Sequence, residues 1–241
     1  MKYLAIIYLL FVELTIHAQD AKPCPCNNEL NNAFETKLNG EVYRRMPGLV
    51  GTEFFNLSYL NGDIYLENGE VSENQKIRYN GRIDGLLLLP PNSSKEILLD
   101  NYFIKGFSLK DFRGIPKIDF TKIRIANLLG PDSIQVFAQV LYRNKLSLYA
   151  YRRYVFEQEV IDNVGDKRVA RQLYVPSFIY YFQLPDHKTI GFKSFKKRDL
   201  YKLFPGNKDL MRKLFREKHQ RRFRNEDDLI RITEILNSLY N

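Results

Sequence analysis

Asn-Gly occurs four times early in the chain, at Asn39-Gly40, Asn61-Gly62, Asn68-Gly69 and Asn80-Gly81. No other feature restricts the fold as much. The pair favours tight turns with positive φ, whose twist suits two antiparallel strands joined directly. Residues 63–67 lie between two of these pairs and alternate polar with apolar, as a short half-buried strand does. Residues 76–79 alternate cleanly, and residues 85–89 form an apolar run stopped by Pro90-Pro91. Further strands are expected at 97–99, 102–109, 117–125, 134–142, 146–156, 171–184 and 189–192. Within 117–125 the alternation of Ile118, Phe120, Ile123 and Ile125 slips, which suggests a bulge. Arg143-Asn144-Lys145 reads as a tight hairpin, and Pro176 as an edge or a bend. Strands this short, joined by hairpin turns, imply an antiparallel β meander, as a sandwich or a partly open barrel, over residues 33–194.

The grammar changes at Phe195. Leu210, Met211, Leu214 and Phe215 share one helical face behind Asn207-Lys208-Asp209. Asn225 followed by Glu226, Asp227 and Asp228 is a helix start: a capping side chain, then three carboxylates where the helix dipole is positive. Leu229, Ile232, Thr233, Leu236, Leu239 and Tyr240 follow at helical spacing. Residues 195–241 are therefore expected to form a C-terminal helical hairpin packed on the β domain, since neither helix could bury its apolar face alone.

At the other end, residues 1–18 have signal-peptide order: Lys2, an apolar run from Tyr3 to Val12, and the small residue Ala18 before Gln19. The apolar run is roughly half the length of about 20 that a membrane span needs. Export is the expectation, with a mature chain of 223 residues after removal of 18 from 241, enough for one domain with a sizeable core. No other apolar run approaches a span, and the helical C-terminal third argues against a transmembrane β-barrel. Residues 19–32 read as a polar, flexible tail holding both cysteines, Cys24 and Cys26. Nothing in the body can pair with them. A bridge between positions two apart would close a strained, reducible ring, so they read either as a redox pair or as thiols for intermolecular disulfides. A metal site lacks ligands, and Ala21-Lys22-Pro23 does not supply the small residues that lipid attachment needs.

The net charge of +9 is concentrated. Residues 193–224 carry 13 Lys and Arg against three acids, a net of +10 in 32 residues, so the rest of the chain sums to −1. Lys208, Arg212, Lys213 and Arg216 fill the polar side of the first helix, and Arg221, Arg222 and Arg224 flank Phe223 in the connection. Guanidinium groups hold phosphates and carboxylates bidentately. For an exported chain the fitting partner is an acidic envelope protein or an anionic lipid or glycan surface, not nucleic acid.

Motifs for catalysis and cofactors are absent. There is no Gly-x-Ser-x-Gly elbow to serve His187 or His219, and no glycine-rich phosphate loop, so no cofactor is expected. A carboxylate pair needs only two acids brought together by the fold, and Asp84 with Glu96 or Asp100 could meet across strands. Tyr79, Asn80 and Asp84 read as turn residues, Asp84 accepting backbone hydrogen bonds, with ligand contact as the other use.

The stretch Gly62-Asp63-Ile64-Tyr65-Leu66-Glu67-Asn68-Gly69, then Ile77-Arg78-Tyr79-Asn80 with Asp84, resembles a recurring pattern in small exported proteins of Bacteroidota. The C-terminal stretch, from Phe195-Lys196-Lys197 through Asn225-Glu226-Asp227-Asp228-Leu229 to Tyr240-Asn241, is similar to the end of the same proteins. The likeness covers most of the mature chain. Those proteins have no assigned function, so it carries over no catalytic residue. Without the β-rich C-terminal sorting domain of that phylum's secretion cargo, the resemblance implies a periplasmic or envelope-attached location.

Two functions follow as expectations. One is a non-enzymatic envelope protein whose β scaffold carries a basic helical end for docking. The other is a hydrolase of cell-wall or glycan material using paired carboxylates.

Overall fold

The computed structural model describes residues 38–45, 49–126, 133–164, 167–193, 196–217 and 225–240. Among them, 12 strands join edge to edge in a single sheet that does not close. In chain order they are β1 (Gly40–Val42), β2 (Leu49–Gly51), β3 (Leu60–Leu66), β4 (Val71–Asn80), β5 (Gly85–Leu88), β6 (Ile97–Leu99), β7 (Ile104–Phe112), β8 (Ile115–Ala126), β9 (Ser133–Tyr142), β10 (Ser147–Val164), β11 (Lys167–Gln183) and β12 (Thr189–Phe192). The spatial order is β1-β6-β5-β4-β3-β7-β8-β9-β10-β11-β12, antiparallel throughout, with β2 added in parallel on β11. The meander expected from the turn chemistry is present from β7 to β12, where each strand pairs with the next.

Alternation along β8 and β9 sends their side chains into two separate cores. Phe120 and Phe137 share one face, and their rings close on Phe107 of β7 at 4.6 and 5.5 Å. Tyr79 of β4 reaches Phe120 at 5.2 Å although two strands separate β4 from β8, so this part of the sheet curls inward. Ile123, Ile125, Val136 and Ala138 occupy the opposite face and pack on Tyr149, Ile179 and Tyr181 of β10 and β11. The slip in the apolar pattern at Phe120–Ile123 is therefore not a bulge. Residues 120–126 pair with β9 in unbroken register, and the phase changes because the buried face changes from one core to the other.

The Asn-Gly pairs divide between turns and strand. Asn68-Gly69 makes the β3–β4 turn with φ +89° at the glycine. Asn61-Gly62, expected as a turn, lies inside β3, where a Cβ at Gly62 would stand 2.0 Å from the Ser108 carbonyl oxygen. Asn80-Gly81 opens the β4–β5 turn, but positive φ falls on Asp84, at 53°. Gly81 is needed for a different reason: a Cβ there would lie 2.1 Å from the Arg152 carbonyl oxygen.

That close approach marks a wedge. β9 and β10 share only three rungs, Tyr142↔Leu148, Val140↔Tyr149 and Gln139↔Ala150, and then separate. The β4–β5 turn fills the gap. On one side the Tyr154 amide donates to the Gly81 carbonyl at 3.0 Å, and on the other the Phe137 amide donates to the Asp84 carboxylate at 3.2 Å. The turn is braced internally, as the Asn80 side-chain oxygen accepts from the Arg82 amide at 3.0 Å.

After β12 ends at Phe192, three α-helices follow among the described residues: α1 (Lys197–Leu203), α2 (Lys208–Glu217) and α3 (Glu226–Asn237). The expected pair is α2 and α3; α1 is additional and buries Leu200. A 3₁₀ turn, Pro205–Asn207, runs directly into α2. Leu200, Phe204, Met211, Phe215, Leu229, Ile232 and Leu236 pack on the face of β10–β12 formed by Leu148, Ala150, Tyr180, Phe182 and Phe192. Leu210, assigned from its spacing to the apolar face, is 47% exposed.

Polar clamps hold both ends of α3. The Asn225 side chain caps it, accepting from the Asp228 amide at 2.9 Å. Glu226 lies in the first turn as expected and also reaches Arg152 of β10, which bonds both of its carboxylate oxygens. Arg152 Nε donates to Gln139 at 2.7 Å, and the Tyr180 hydroxyl donates to Glu226 at 2.7 Å. At the far end the Asn237 side chain accepts from the Leu146 amide at 2.9 Å. Leu146 to Arg152 spans roughly 20 Å of extended strand, and the helix between its clamps roughly 17 Å, so the helix lies along β10.

Candidate functional site

Of the basic residues read from the sequence, Lys208, Arg212, Lys213 and Arg216 are described, all exposed on α2, whose Met211 and Phe215 are buried beneath. Two cations have carboxylate neighbours on the same helix: Arg212 bonds Asp209 at 3.0 Å, and Lys213 stands 3.9 Å from Glu217. The Arg212 guanidinium also lies 5.7 Å from the Tyr201 ring centre. Such contacts orient the cations without removing them from water. Arg221, Arg222, Arg224 and His219 lie outside the described residues, as do Cys24, Cys26 and residues 1–32. His187 sits exposed at the β11–β12 turn with φ 64°.

The three acids considered for a catalytic pair have separate duties. Glu96 accepts from Arg78 at 2.8 Å and Arg45 at 2.9 Å, and burial of its surroundings does not prevent these guanidiniums from holding its carboxyl below the ordinary range. Arg78, almost wholly buried, also stacks over Phe54 at 3.7 Å and Tyr59 at 4.5 Å. Asp100 caps the 3₁₀ turn Asn101–Phe103, accepting from the Tyr102 amide at 2.8 Å. Asp100 also borders a cavity of about 590 Å³ beside β1 and β6, and Asp84 faces a different one.

That cavity, of about 390 Å³, is lined by Glu67, Asp84, Asn101, Tyr102, Phe103, Lys122, Gln135, Val136 and Phe137. Five segments contribute: the β3–β4 turn, the β4–β5 turn, the 3₁₀ turn, β8 and β9. The Tyr79 hydroxyl donates to Asp84 at 2.6 Å from inside the first core. Burial pushes the Asp84 carboxyl up to about 7, even though the Tyr79 hydroxyl, the Phe137 amide and the Lys122 ammonium all favour its charged form. Lys122 bonds Glu67 at 2.9 Å and lies 5.9 Å from the Phe137 ring centre. The Asn101 amide donates to the Asp84 carbonyl at 2.6 Å, while its buried Oδ1 has no partner. Sequence spacing placed Asp84 correctly in a turn. The other walls come from positions far apart in the chain, with no local signal to unite them.

No group of three or more His, Cys, Asp or Glu side chains among the described residues could hold a metal ion. No helix among them is long and apolar enough to cross a membrane. No protein-family model, curated protein or solved structure matches the chain.

Proposed function

We propose that this is an exported envelope protein that works by binding, its β sheet serving as the scaffold and its basic helical end docking onto an acidic partner protein or an anionic envelope surface. The observation that carries the reading is the orientation of α2: Met211 and Phe215 go under, and Lys208, Arg212, Lys213 and Arg216 face water together. A helix anchored by its apolar side presents its charges in a fixed array, which favours recognition of phosphate or carboxylate groups. Arg221, Arg222 and Arg224, which follow in the sequence, add three more cations to the segment. The alternative, hydrolysis by carboxylates paired across the sheet, has less support, because Asp84, Glu96 and Asp100 each serve a different contact.

The test is a salt series on the mature protein with vesicles of anionic and of neutral lipid, alongside cross-linking in its native envelope. Attraction between exposed charges is screened within about 8 Å at physiological ionic strength, so binding should fall steeply as salt rises. Reversing Arg212 and Arg216 to Glu should remove most of it and leave the melting temperature nearly unchanged. Equal binding by the reversed protein would reject the docking surface. Intact mass of the exported chain should show processing before Gln19.

A further inference from the structure

Tyr102 and Phe103 are 78% and 41% exposed, side by side at the mouth of the Asp84 cavity. Large aromatics cost free energy in water, and these two are held there firmly. Asp100 accepts from the Tyr102 amide at 2.8 Å, and the Phe103 amide donates back to the Asp100 carbonyl at 3.2 Å. The Phe103 carbonyl accepts from the Glu67 amide at 3.0 Å, tying the turn to the β3–β4 connection. The rings meet edge to face at 5.2 Å, so together they form a fixed apolar lip.

Below the lip the lining is mixed, with polar groups set beside Val136 and Phe137. Glu67, Asp84, Asn101, Lys122 and Gln135 supply carboxylates, amides and an ammonium within one concavity. The charges already answer each other, since Lys122 is paired with Glu67 at 2.9 Å. An ionic ligand would have to break that pair. A wholly apolar ligand would strip water from these groups and return no hydrogen bonds. The ligand that satisfies both surfaces has an apolar C–H face and a rim of hydroxyls that donate and accept.

We propose that the cavity binds a neutral saccharide unit, with the Tyr102 ring against the face of the sugar, Phe103 standing at a right angle beside it, and Glu67, Lys122 and Gln135 taking its hydroxyls. About 390 Å³ falls within the range of small-ligand sites. The Asp84 carboxyl, titrating near neutrality, can donate to or accept from a hydroxyl at the floor. Sugar binding here does not depend on the cationic helix.

The experiment is saturation-transfer NMR on the mature protein. The panel is glucose, galactose, mannose, N-acetylglucosamine and their β-1,4-linked disaccharides, with glucuronate and glucosamine as charged probes. At least one neutral sugar should receive saturation at its ring protons, with a dissociation constant on the order of 1 mM for a single ring. Tyr102→Ala should weaken that binding about tenfold, while Tyr102→Phe retains it. Because most of the Tyr102 side chain is in solvent, both variants should melt like the parent. Gln135→Ala should weaken binding independently. Three results would overturn the assignment: no transfer to any neutral sugar, transfer undiminished in Tyr102→Ala, or binding of the charged probes in place of the neutral ones.

Discussion

Arg152 grips Glu226 through both of its terminal nitrogens, and this single pair fixes the start of the last helix to the longest strand of the sheet. The Arg152 side chain is 5% exposed and that of Glu226 is 32%. Removing the carboxylate leaves a buried guanidinium with Gln139 and the Phe55 and Phe178 rings beside it. Glu226→Leu should therefore cost about 3 kcal/mol, the low end for a broken buried pair, given the partial exposure of Glu226. The double variant Arg152→Leu with Glu226→Leu should recover part of the loss. Urea denaturation of the full cycle checks this, with an expected coupling above about 0.5 kcal/mol. Strictly additive losses would mean the two side chains act separately. Burial works against the Glu226 charge, but the hydrogen bonds from Arg152 and Tyr180 outweigh it and hold the folded-state carboxyl below its ordinary value. Its contribution is therefore complete above the unfolded value and is lost as pH falls through the folded one.

Asp84 has the opposite sign. Its carboxyl is raised in the folded protein from 3.8 to about 7, so between those values the native state holds a proton that the unfolded chain has released. Stability from this group is full below pH 3.8 and declines until about pH 7, with a slope of at most about 1.4 kcal/mol per pH unit. The groups facing it are the Tyr79 hydroxyl, the Phe137 amide, the Tyr151 hydroxyl and Lys122, the last already bonded to Glu67. Asp84→Asn keeps an acceptor for Tyr79 and Phe137 and removes the charge. Denaturation of the parent across this range should show the decline, and the variant should be flatter. Parallel profiles would assign the slope to other groups.

Leu236 and Leu210 provide a matched contrast on the helices. Leu236 is 0% exposed among the strand residues of β10–β12, while Leu210 is 47% exposed. Leu236→Asp should unfold the protein or detach α3, at a cost of several kcal/mol for a buried unpaired charge. Leu210→Asp should melt within about 0.5 kcal/mol of the parent. Thermal melts followed by circular dichroism separate the cases, and equal behaviour would mean that α3 does not cover the sheet as described.

How far the chain announces this architecture depends on which interactions are local. The strands at Ile97–Leu99 and Thr189–Phe192 match their expected limits, because turn residues bracket a short apolar run at each. β1 and β2 carry no such pattern. Three residues each, they exist through pairing with β6 and with β11, which only the tertiary fold provides. The extent of β10 and β11 was also hidden, since their outer halves pair mainly with each other and need no alternation to face a core. Pro176 was legible: β11 has β2 beside residues 172–174 and β12 beside 180–183, and Pro176 falls in the stretch between. The cationic residues of α2 were equally legible, because an amphipathic helix sorts its own faces. For the Asp84 cavity the sequence shows a turn and nothing more; the aromatic lip, the Lys122–Glu67 pair and Gln135 meet only after the sheet has curled.

The change of buried face along β8 and β9 bears on how the molecule comes apart. Phe120 and Phe137 belong to one core, Ile123, Ile125, Val136 and Ala138 to the other, and all six stand on the same two strands. A party wall of this kind cannot be assigned to either neighbour. Excising the chain on one side of it would leave a sheet with a bare apolar surface, so neither half is a portable module. Melting should then be a single cooperative transition rather than two, with amides of β8 and β9 among the last to exchange their hydrogens for solvent deuterium.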